Sequence, residues 1–228
     1  MRILALESSL FEGSVAALDS GKVLRETKLD PALRTARSFA PGMRQMLREV
    51  GWKPADVQLI TVATGPGSFT GLRVACTAAK VFAYAVKAEV IAVDTLEVIA
   101  AQVPPGHPAL IMAVMDAQRE ELFLKSFRRA ADGQLADKSE LRIVGNDAWL
   151  ADLAQDPSSL ITGPGLHKLV ERIPAGVQVA PSENWAPMAA TVGQLGWRAY
   201  QSGRRDDVFG LLPDYGRPSA AEEKKAKK

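Results

Sequence analysis

A glycine-rich turn at residues 65–71 constrains the fold more than any other segment of the sequence. It reads Gly-Pro-Gly-Ser-Phe-Thr-Gly, follows a near-continuous apolar stretch at residues 57–63 and precedes a long helical pattern that runs to Val86. Residues 89–93 then form another apolar stretch. A buried strand, a glycine turn, a helix and a second buried strand predict a parallel β-α-β unit, and therefore an α/β fold.

The residues before this unit predict an antiparallel extension of the same sheet. Short apolar runs at residues 2–6 and 13–18 flank a polar turn and predict a hairpin, and residues 22–28 alternate as an edge strand would. A helix then ends at Gly51, with Pro41 either starting or kinking it. The predicted apolar face of this helix consists of Phe39, Met43, Met46, Leu47 and Val50.

A proline-rich segment at residues 102–108 interrupts every periodicity and has the composition of a connection between two lobes. Beyond it, strands joined by a short turn begin again and lead through a second glycine turn, at residues 163–165, to a helix predicted from near Leu166. Each lobe is therefore predicted to be a strand meander followed by β-α units, as a duplication would produce. The predicted divisions are residues 1–103 for the N-terminal lobe, 104–218 for a smaller C-terminal lobe and 219–228 for a flexible, lysine-rich tail.

The charge distribution argues against a nucleic-acid-binding domain. The chain has 28 Lys and Arg against 26 Asp and Glu, a net charge of +2. The tail at residues 219–228 holds four Lys and two Glu, so the rest of the chain is neutral. Nucleic-acid binders usually carry a basic face on the folded domain. We therefore expect no direct nucleic-acid role for the folded lobes.

Neither a membrane span nor a secretion signal is expected. The longest apolar run, residues 109–115, has seven residues, whereas a spanning helix needs about 20. Glu7 interrupts the apolar N-terminus before it could serve as a signal peptide. The single cysteine, Cys76, excludes an internal disulfide. The sequence therefore predicts a cytoplasmic protein that contacts no membrane.

The chemistry of the glycine turn stays open at this point. Glycines at a strand-to-helix junction let backbone N–H groups approach a phosphate. The spacing excludes a P-loop, because Thr70 and Gly71 stand where that motif needs Gly and Lys. A dinucleotide site would use Asp94 as its ribose ligand. The third interpretation is a packing turn, in which Ser68 or Thr70 caps the helix and the glycines allow close backbone contact.

Five motifs spread over nearly the whole chain carry a family resemblance. They are Met-Arg-Ile-Leu-Ala-Leu-Glu-Ser-Ser at residues 1–9, Gly-Ser-Val-Ala at 13–16, Gly-Pro-Gly-Ser-Phe-Thr-Gly-Leu-Arg at 65–73, Asp-Ala-Gln-Arg-Glu-Glu at 116–121 and Pro-Asp-Tyr-Gly-Arg at 213–217. With these motifs the sequence resembles the bacterial TsaB (YeaZ) family. The resemblance implies the two-lobed, ribonuclease H-like fold of actin, sugar kinases and Hsp70. It also implies a role in forming threonylcarbamoyladenosine at adenosine 37 of tRNAs that read codons beginning with A.

The resemblance further implies a non-catalytic scaffold subunit that binds and activates the catalytic transferase TsaD, with a small ATPase, TsaE, as third member. Alone, such a chain is expected to form a homodimer, and to reach tRNA only through the complex. Adaptable methionines and small side chains favour an interface on the two helices of the first lobe, although burial against their own sheet would also explain them. The expected interface residues are Met43, Met46, Leu47, Thr70, Arg73, Val74, Thr77, Lys80 and Tyr84.

An acidic turn at the start of the chain bears on cofactors. Where the superfamily usually places Asp-Thr-Ser near a nucleotide phosphate, this chain has Glu7-Ser8-Ser9. The longer carboxylate points to a vestigial site, and a cap or salt bridge is the competing role of Glu7. No resident cofactor is expected, and ATP or ADP at the interface of the complex stays open. The cofactor-binding candidates are Glu7, Ser8, Ser9, Gly65, Gly67 and Ser68. The alternative function is an actin-like nucleotide-binding phosphotransferase or ATPase that uses Glu7 and residues 65–71.

No set of catalytic residues is evident, so the sequence predicts that the chain is not an enzyme. The related transferase TsaD has a metal-binding His-x-x-x-His pair, and Thr95 and Ile99 stand at those positions here. Ile99 offers no donor atom to a metal. The two histidines, His107 and His167, lie in neighbourhoods that supply neither a nucleophile nor an orienting acid. We therefore expect no catalytic residue and no metal site.

Overall fold

The computed structural model describes residues 1–30, 35–104, 110–130, 133–136 and 139–217. Of the connection predicted at residues 102–108, residues 105–108 lie outside the described residues, and so does the lysine-rich tail at residues 219–228. The strands are β1 (Arg2–Glu7), β2 (Ser14–Asp19), β3 (Lys22–Lys28), β4 (Leu59–Gly65), β5 (Glu89–Asp94), β6 (Leu110–Gln118), β7 (Glu121–Arg129), β8 (Leu135–Ala136), β9 (Arg142–Gly145), β10 (Leu160–Thr162) and β11 (Gln178–Val179). The α-helices are α1 (Thr35–Glu49), α2 (Phe69–Val86), α3 (Thr95–Ala101), α4 (Asn146–Gln155) and α5 (Ala189–Gln201).

The first sheet has the strand order β3-β2-β1-β4-β5. β1 pairs antiparallel with β2 and parallel with β4, and β4 pairs parallel with β5. The predicted hairpin, the predicted edge strand at residues 22–28 and the predicted β-α-β unit are all confirmed. Pro41 lies inside α1 and does not start it.

Two layers of helix cover the first sheet. Side chains that alternate along β1, such as Leu4 and Leu6, face α1 and α2, while Ile3 and Ala5 face α5 on the opposite side. Gly193 and Gly196 let α5 approach the sheet, because a Cβ at either position would overlap a side chain of β2 or β4. After the second lobe, the chain therefore returns to the first lobe as α5. The predicted division, which assigned residues 104–218 to the C-terminal lobe, does not include this return.

The second sheet has the strand order β11-β10-β6-β7-β8, with β9 paired to β7. The helix predicted from near Leu166 is wrong: two short 3-10 helices, Pro164–Lys168 and Val170–Arg172, take its place. Leu166 and Leu169 are both buried, and their spacing of three matches the three residues per turn of a 3-10 helix.

Helix α2 has 18 residues and passes a test for membrane spans based on length and composition. Within the lobe, however, one side of it packs against the sheet, and Leu72 and Ala79 are fully buried in the core. We therefore describe α2 as a core helix of the first lobe.

After α5 the chain continues as an irregular segment, residues 206–217, which we call the C-terminal strap. The Asp206 carboxylate accepts a hydrogen bond of 2.7 Å from the Ala92 N–H on β5. Leu211 is buried among the residues beneath α2. At its far end, Arg217 forms an ion pair with Glu121 on β7. The C-terminal strap therefore runs from the edge of the first sheet to the second lobe.

Candidate functional site

A cleft of about 850 Å³ separates the two lobes. Its walls come from the β1–β2 turn, the glycine turn, the β6–β7 turn, the second glycine turn and the end of the C-terminal strap. The lining includes both aromatic and cationic side chains. The aromatic lining residues are Phe11, Phe69, Phe123, His167 and Tyr215, and the cationic ones are Arg119, Lys168 and Arg217.

The acidic residue that lines the cleft, Asp116, is paired with a lysine of the same chain. The Lys168 ammonium donates a hydrogen bond of 2.7 Å to the Asp116 carboxylate. Partial burial raises the pKa of Asp116, but the bonds from Lys168 and from the Gln118 N–H outweigh burial and leave the pKa below its ordinary value. An ion pair between β6 and the 3-10 helix Pro164–Lys168 therefore already engages the acidic group on this side of the cleft.

The predicted cofactor residues of the first turn lie beneath the surface of the cleft. Glu7 and Ser8 have no exposed area, and Ser9 retains 1 %. The Ser9 N–H and hydroxyl both donate to Glu7 Oε1, at 2.6 and 2.5 Å. Burial, opposed by these Ser9 bonds and reinforced by the charge of Glu26, raises the pKa of Glu7 to about 7. In this conformation a ligand in the cleft does not reach the Glu7 carboxylate.

The glycine turn packs directly on this buried turn. A Cβ at Gly71 would overlap the Ser8 carbonyl oxygen, and a Cβ at Gly67 would overlap Ser9. The Ser68 N–H donates to the Ser9 carbonyl at 2.7 Å. Ser68 is the N-cap of α2, because its hydroxyl accepts from the Gly71 N–H at 3.2 Å. The packing interpretation is therefore the one that the geometry supports.

The remaining chemical candidates are also engaged or buried. Asp94, considered as a ribose ligand, caps α3 through the Glu97 N–H and pairs with Lys125 at 2.7 Å. Burial raises the pKa of the Cys76 thiol to about 11, so this group is a neutral thiol at pH 7. His167 lies exposed at the cleft with its ring edge-on to a tryptophan. Among the described residues, no group of three or more His, Cys, Asp or Glu comes together in a metal-binding arrangement.

The predicted interface residues divide into two groups. Met43, Met46 and Leu47 were expected at a partner surface, but they are at most 5 % exposed and pack in the core between α1, α2 and the sheet. This expectation is wrong, because a one-sided apolar pattern shows that a face is buried without showing what buries it. The residues that do reach the surface are all on α2. Thr70, Arg73, Thr77 and Tyr84 are exposed, and Val74 and Lys80 are half-buried.

Contacts between α2 and the C-terminal strap were not predicted. The Arg73 guanidinium lies 3.8 Å from the centre of the Phe69 ring and donates a 2.7 Å hydrogen bond to the Tyr215 hydroxyl. The Phe69 and Tyr215 rings stack with centroids 4.6 Å apart. The Pro-x-Tyr-x-Arg motif at residues 213–217 was the one sequence signal for this cluster.

The fold is a two-lobed α/β fold with one mixed sheet in each lobe, and its first turn is covered by the packing of the glycine turn. A sequence profile of the family described as TsaD, tRNA N6-adenosine threonylcarbamoyltransferase, matches residues 34–140. The tRNA threonylcarbamoyladenosine biosynthesis protein TsaB of Bacillus subtilis is 28% identical over 98% of this chain and 97% of its own length. TsaB of Escherichia coli is 30% identical over 58% of each chain. The structure of YeaZ from Pseudomonas aeruginosa superposes with a TM-score of 0.78 and 25% identity, covering 94% of this chain and 99% of that one. The chain is therefore similar to TsaB (YeaZ) proteins over nearly its whole length.

Proposed function

We propose that the chain is a non-catalytic accessory subunit in the synthesis of threonylcarbamoyladenosine at adenosine 37 of tRNAs that read codons beginning with A. Two relatives, from Bacillus subtilis and Escherichia coli, carry names that describe a tRNA threonylcarbamoyladenosine biosynthesis protein. The match of residues 34–140 to the transferase family supports the same pathway. In this proposal the chain supplies a binding surface, and the transferase supplies the chemistry.

The packing of the glycine turn on the first turn is the observation that carries the non-catalytic part of the proposal. In the superfamily that the sequence resembles, the first turn normally approaches a nucleotide phosphate. Here the Ser8 and Ser9 backbone fills the space against Gly67 and Gly71. The Ser68 N–H, which could otherwise approach a phosphate, bonds to Ser9. A nucleotide would have to separate the turns before it could bind between them.

The partner in this proposal is a TsaD-like transferase, which binds the exposed side of α2. The transferase family matches the part of this chain that contains α1 and α2. Two proteins that share these helices can pair them about an approximate twofold axis. Pairing of this kind would also produce a homodimer when the transferase is missing. A TsaE-like ATPase is the third member, ATP or ADP would bind at the interface of the complex, and tRNA contacts this chain only through the complex.

The binding would act by stabilising the active conformation of the transferase. An accessory subunit can shift a conformational equilibrium only if it binds the active state more tightly than the inactive one. The exposed residues Arg73, Thr77 and Tyr84 provide a surface for such differential binding. This mechanism requires a complex of fixed stoichiometry.

Reconstitution tests the proposal. Threonylcarbamoylation of tRNA is measured with a TsaD-like transferase and a TsaE-like ATPase, with and without this chain. We expect modification to depend on the chain, and the chain alone to modify nothing. In parallel, the isolated chain is titrated with ATP and a magnesium salt. Saturable ATP turnover by the isolated chain, lost in Glu7→Gln, would establish the phosphotransferase or ATPase alternative instead.

A further inference from the structure

The C-terminal strap is fastened to the first lobe just before its end. The Asp214 N–H donates to the Thr64 carbonyl at 2.7 Å, at the end of β4. The Tyr215 ring stacks on Phe69, and its hydroxyl accepts the hydrogen bond from Arg73. We call these contacts the first-lobe anchor. They tie the strap both to the sheet and to the first turn of α2.

The next two residues of the strap are fastened to the second lobe. Arg217 forms an ion pair with Glu121, and their side chains are only 17% and 37% exposed. Gly216, with φ +65°, lies so close to the Phe123 ring that a Cβ would overlap it. We call these contacts the second-lobe anchor. Residues 214–217 therefore join the two lobes within four residues, which span at most about 14 Å.

The chain also connects the lobes at another place, which we call the hinge. It leaves the first lobe after α3 and returns before α5, and the Gln102 side chain holds the two connections together. Its amide nitrogen donates to the Asn184 and Ala186 carbonyls at 3.0 and 2.7 Å. Its amide oxygen accepts from the Met188 N–H at 2.8 Å. The two connections therefore behave as one.

The second-lobe anchor lies far from the hinge. Strand β7 meets the hinge at its last residue, Arg129, which donates to the Val103 carbonyl at 2.8 Å. Glu121 is the first residue of β7, about 27 Å away at 3.4 Å per residue. Lys125, between them, pairs with Asp94 at the start of α3. A rotation of about 15° at the hinge, as in known domain transitions, would move Glu121 by about 7 Å.

The turn that presents Glu121 has an uncommon backbone conformation. Gln118, Arg119 and Glu120 have φ values of 64°, 56° and 59°. Residues other than glycine seldom adopt this region, because the Cβ approaches the backbone, and such conformations persist where the surrounding structure imposes them. Gln118 and Arg119 also line the cleft. The second-lobe anchor is therefore attached to a turn that the fold holds in place at the cleft.

We propose that residues 214–217 are a releasable latch that holds the cleft closed and couples its opening to the first turn of α2. Loss of either anchor is enough to free the lobes, because the strap joins the anchors in series. The coupling is reciprocal: a molecule that binds only the open cleft would loosen Tyr215 from α2. The inference goes beyond the proposed function and does not depend on it. The latch brings together three of the motifs found in the sequence, at residues 65–73, 116–121 and 213–217.

Alkylation of a cysteine inside the cleft tests the latch in the full chain. Ala117 lines the cleft and is 6% exposed, so the thiol of Ala117→Cys should react with a maleimide mainly when the lobes open. The native Cys76 is an internal reference. Its thiol is buried in the core of the first lobe and has a pKa of about 11, so it reacts when that core unfolds.

Two substitutions, made in the Ala117→Cys background, weaken one anchor each without changing the lining of the cleft. We expect alkylation of the introduced cysteine to be about tenfold faster with Glu121→Gln and about threefold faster with Arg73→Gln. Cys76 should react as before. In the double variant the two accelerations should add and not multiply, because either anchor alone can fail. The matched control is Arg172→Gln, which removes an ion pair within the second lobe and should leave the rate unchanged.

Each other outcome overturns the inference or a part of it. If neither variant reacts faster, other contacts hold the cleft, such as the packing of Leu10 against the second core. If only Glu121→Gln reacts faster, the coupling to α2 is wrong. If the accelerations multiply, the anchors are independent contacts and not one latch. If Cys76 accelerates in parallel, the substitutions unfold the first lobe and do not open the cleft.

Discussion

Replacing Glu7 by glutamine should remove a pH dependence that the wild-type protein owes to one buried carboxyl. The carboxyl is fully buried, and its pKa is about 7 in the folded protein against an ordinary value of 4.5. Between these two values the folded chain holds a proton that the unfolded chain releases. The free energy of unfolding is therefore highest below about pH 4.5, falls as the pH rises toward 7, and levels off above it.

The magnitude follows from the same two values. A pKa of about 7 against 4.5 lowers the free energy of unfolding by about 3 kcal/mol at alkaline pH relative to acid pH. Glu7→Gln keeps the shape and an oxygen for the Ser9 bonds but has no proton to lose. At low pH, the free energy of unfolding of the variant should be about 1–2 kcal/mol lower than that of wild type. The reason is that its amide nitrogen takes the place of Glu7 Oε2, which has no hydrogen-bond partner in the described structure.

The measurement is urea unfolding of both proteins at a series of pH values from about 4 to 8. Other titrating groups contribute equally to both proteins, so their contributions cancel in the difference between the two unfolding free energies. That difference should change by about 3 kcal/mol across the series. Glu12→Gln, an exposed carboxyl in the same turn, is the control and should run parallel to wild type. Parallel curves for wild type and Glu7→Gln would refute the assignment of a raised pKa to this buried group.

Three further predictions concern packing and the tail. Gly71→Ala should cost more than about 2 kcal/mol in urea unfolding, because its Cβ would overlap a backbone oxygen, whereas Gly145→Ala, with open space around it, should stay within about 1 kcal/mol of wild type. Met46→Glu should lose its far-UV circular dichroism transition or melt far below wild type, because it buries an unpaired charge, while Thr77→Glu on exposed α2 should melt normally. A normal melt for Met46→Glu would contradict its core position. Deleting residues 219–228 should leave the thermal midpoint and transferase binding unchanged. The tail charges are expected to be solvated and screened beyond about 8 Å at physiological salt. A large loss of stability or of binding would show that the tail contacts the folded chain or the partner.

The strands and the glycine turn could be predicted because their signals are local. Residues 22–28 alternate with the period of a strand, and the edge position follows from their polarity. Ser68 could be predicted as one of two candidate caps because an N-cap side chain accepts from a backbone N–H only three residues away. Most of the first sheet could therefore be predicted from local periodicity and turn residues.

The surfaces could not be predicted because they depend on contacts between distant parts of the chain. The methionines of α1 show one apolar face whether that face meets the lobe's own sheet or a partner. The strap has no periodicity, and its hydrogen bond from Arg73 to Tyr215 joins residues 142 positions apart. The packing of Ser8 against Gly71 likewise depends on contact between two turns, which neither turn indicates by itself.

The position of the C-terminal strap has a consequence for synthesis on the ribosome. Both sheets and α5 are encoded before residue 206, so most of the fold can form while the last segment is still within the ribosome. The contacts of Phe209 with Lys80 and Tyr84 form only after that segment emerges, and the ion pair of Arg217 with the second lobe forms last of all. A chain cut short before residue 206 would thus keep most of its core and lack the segment that lies along α2.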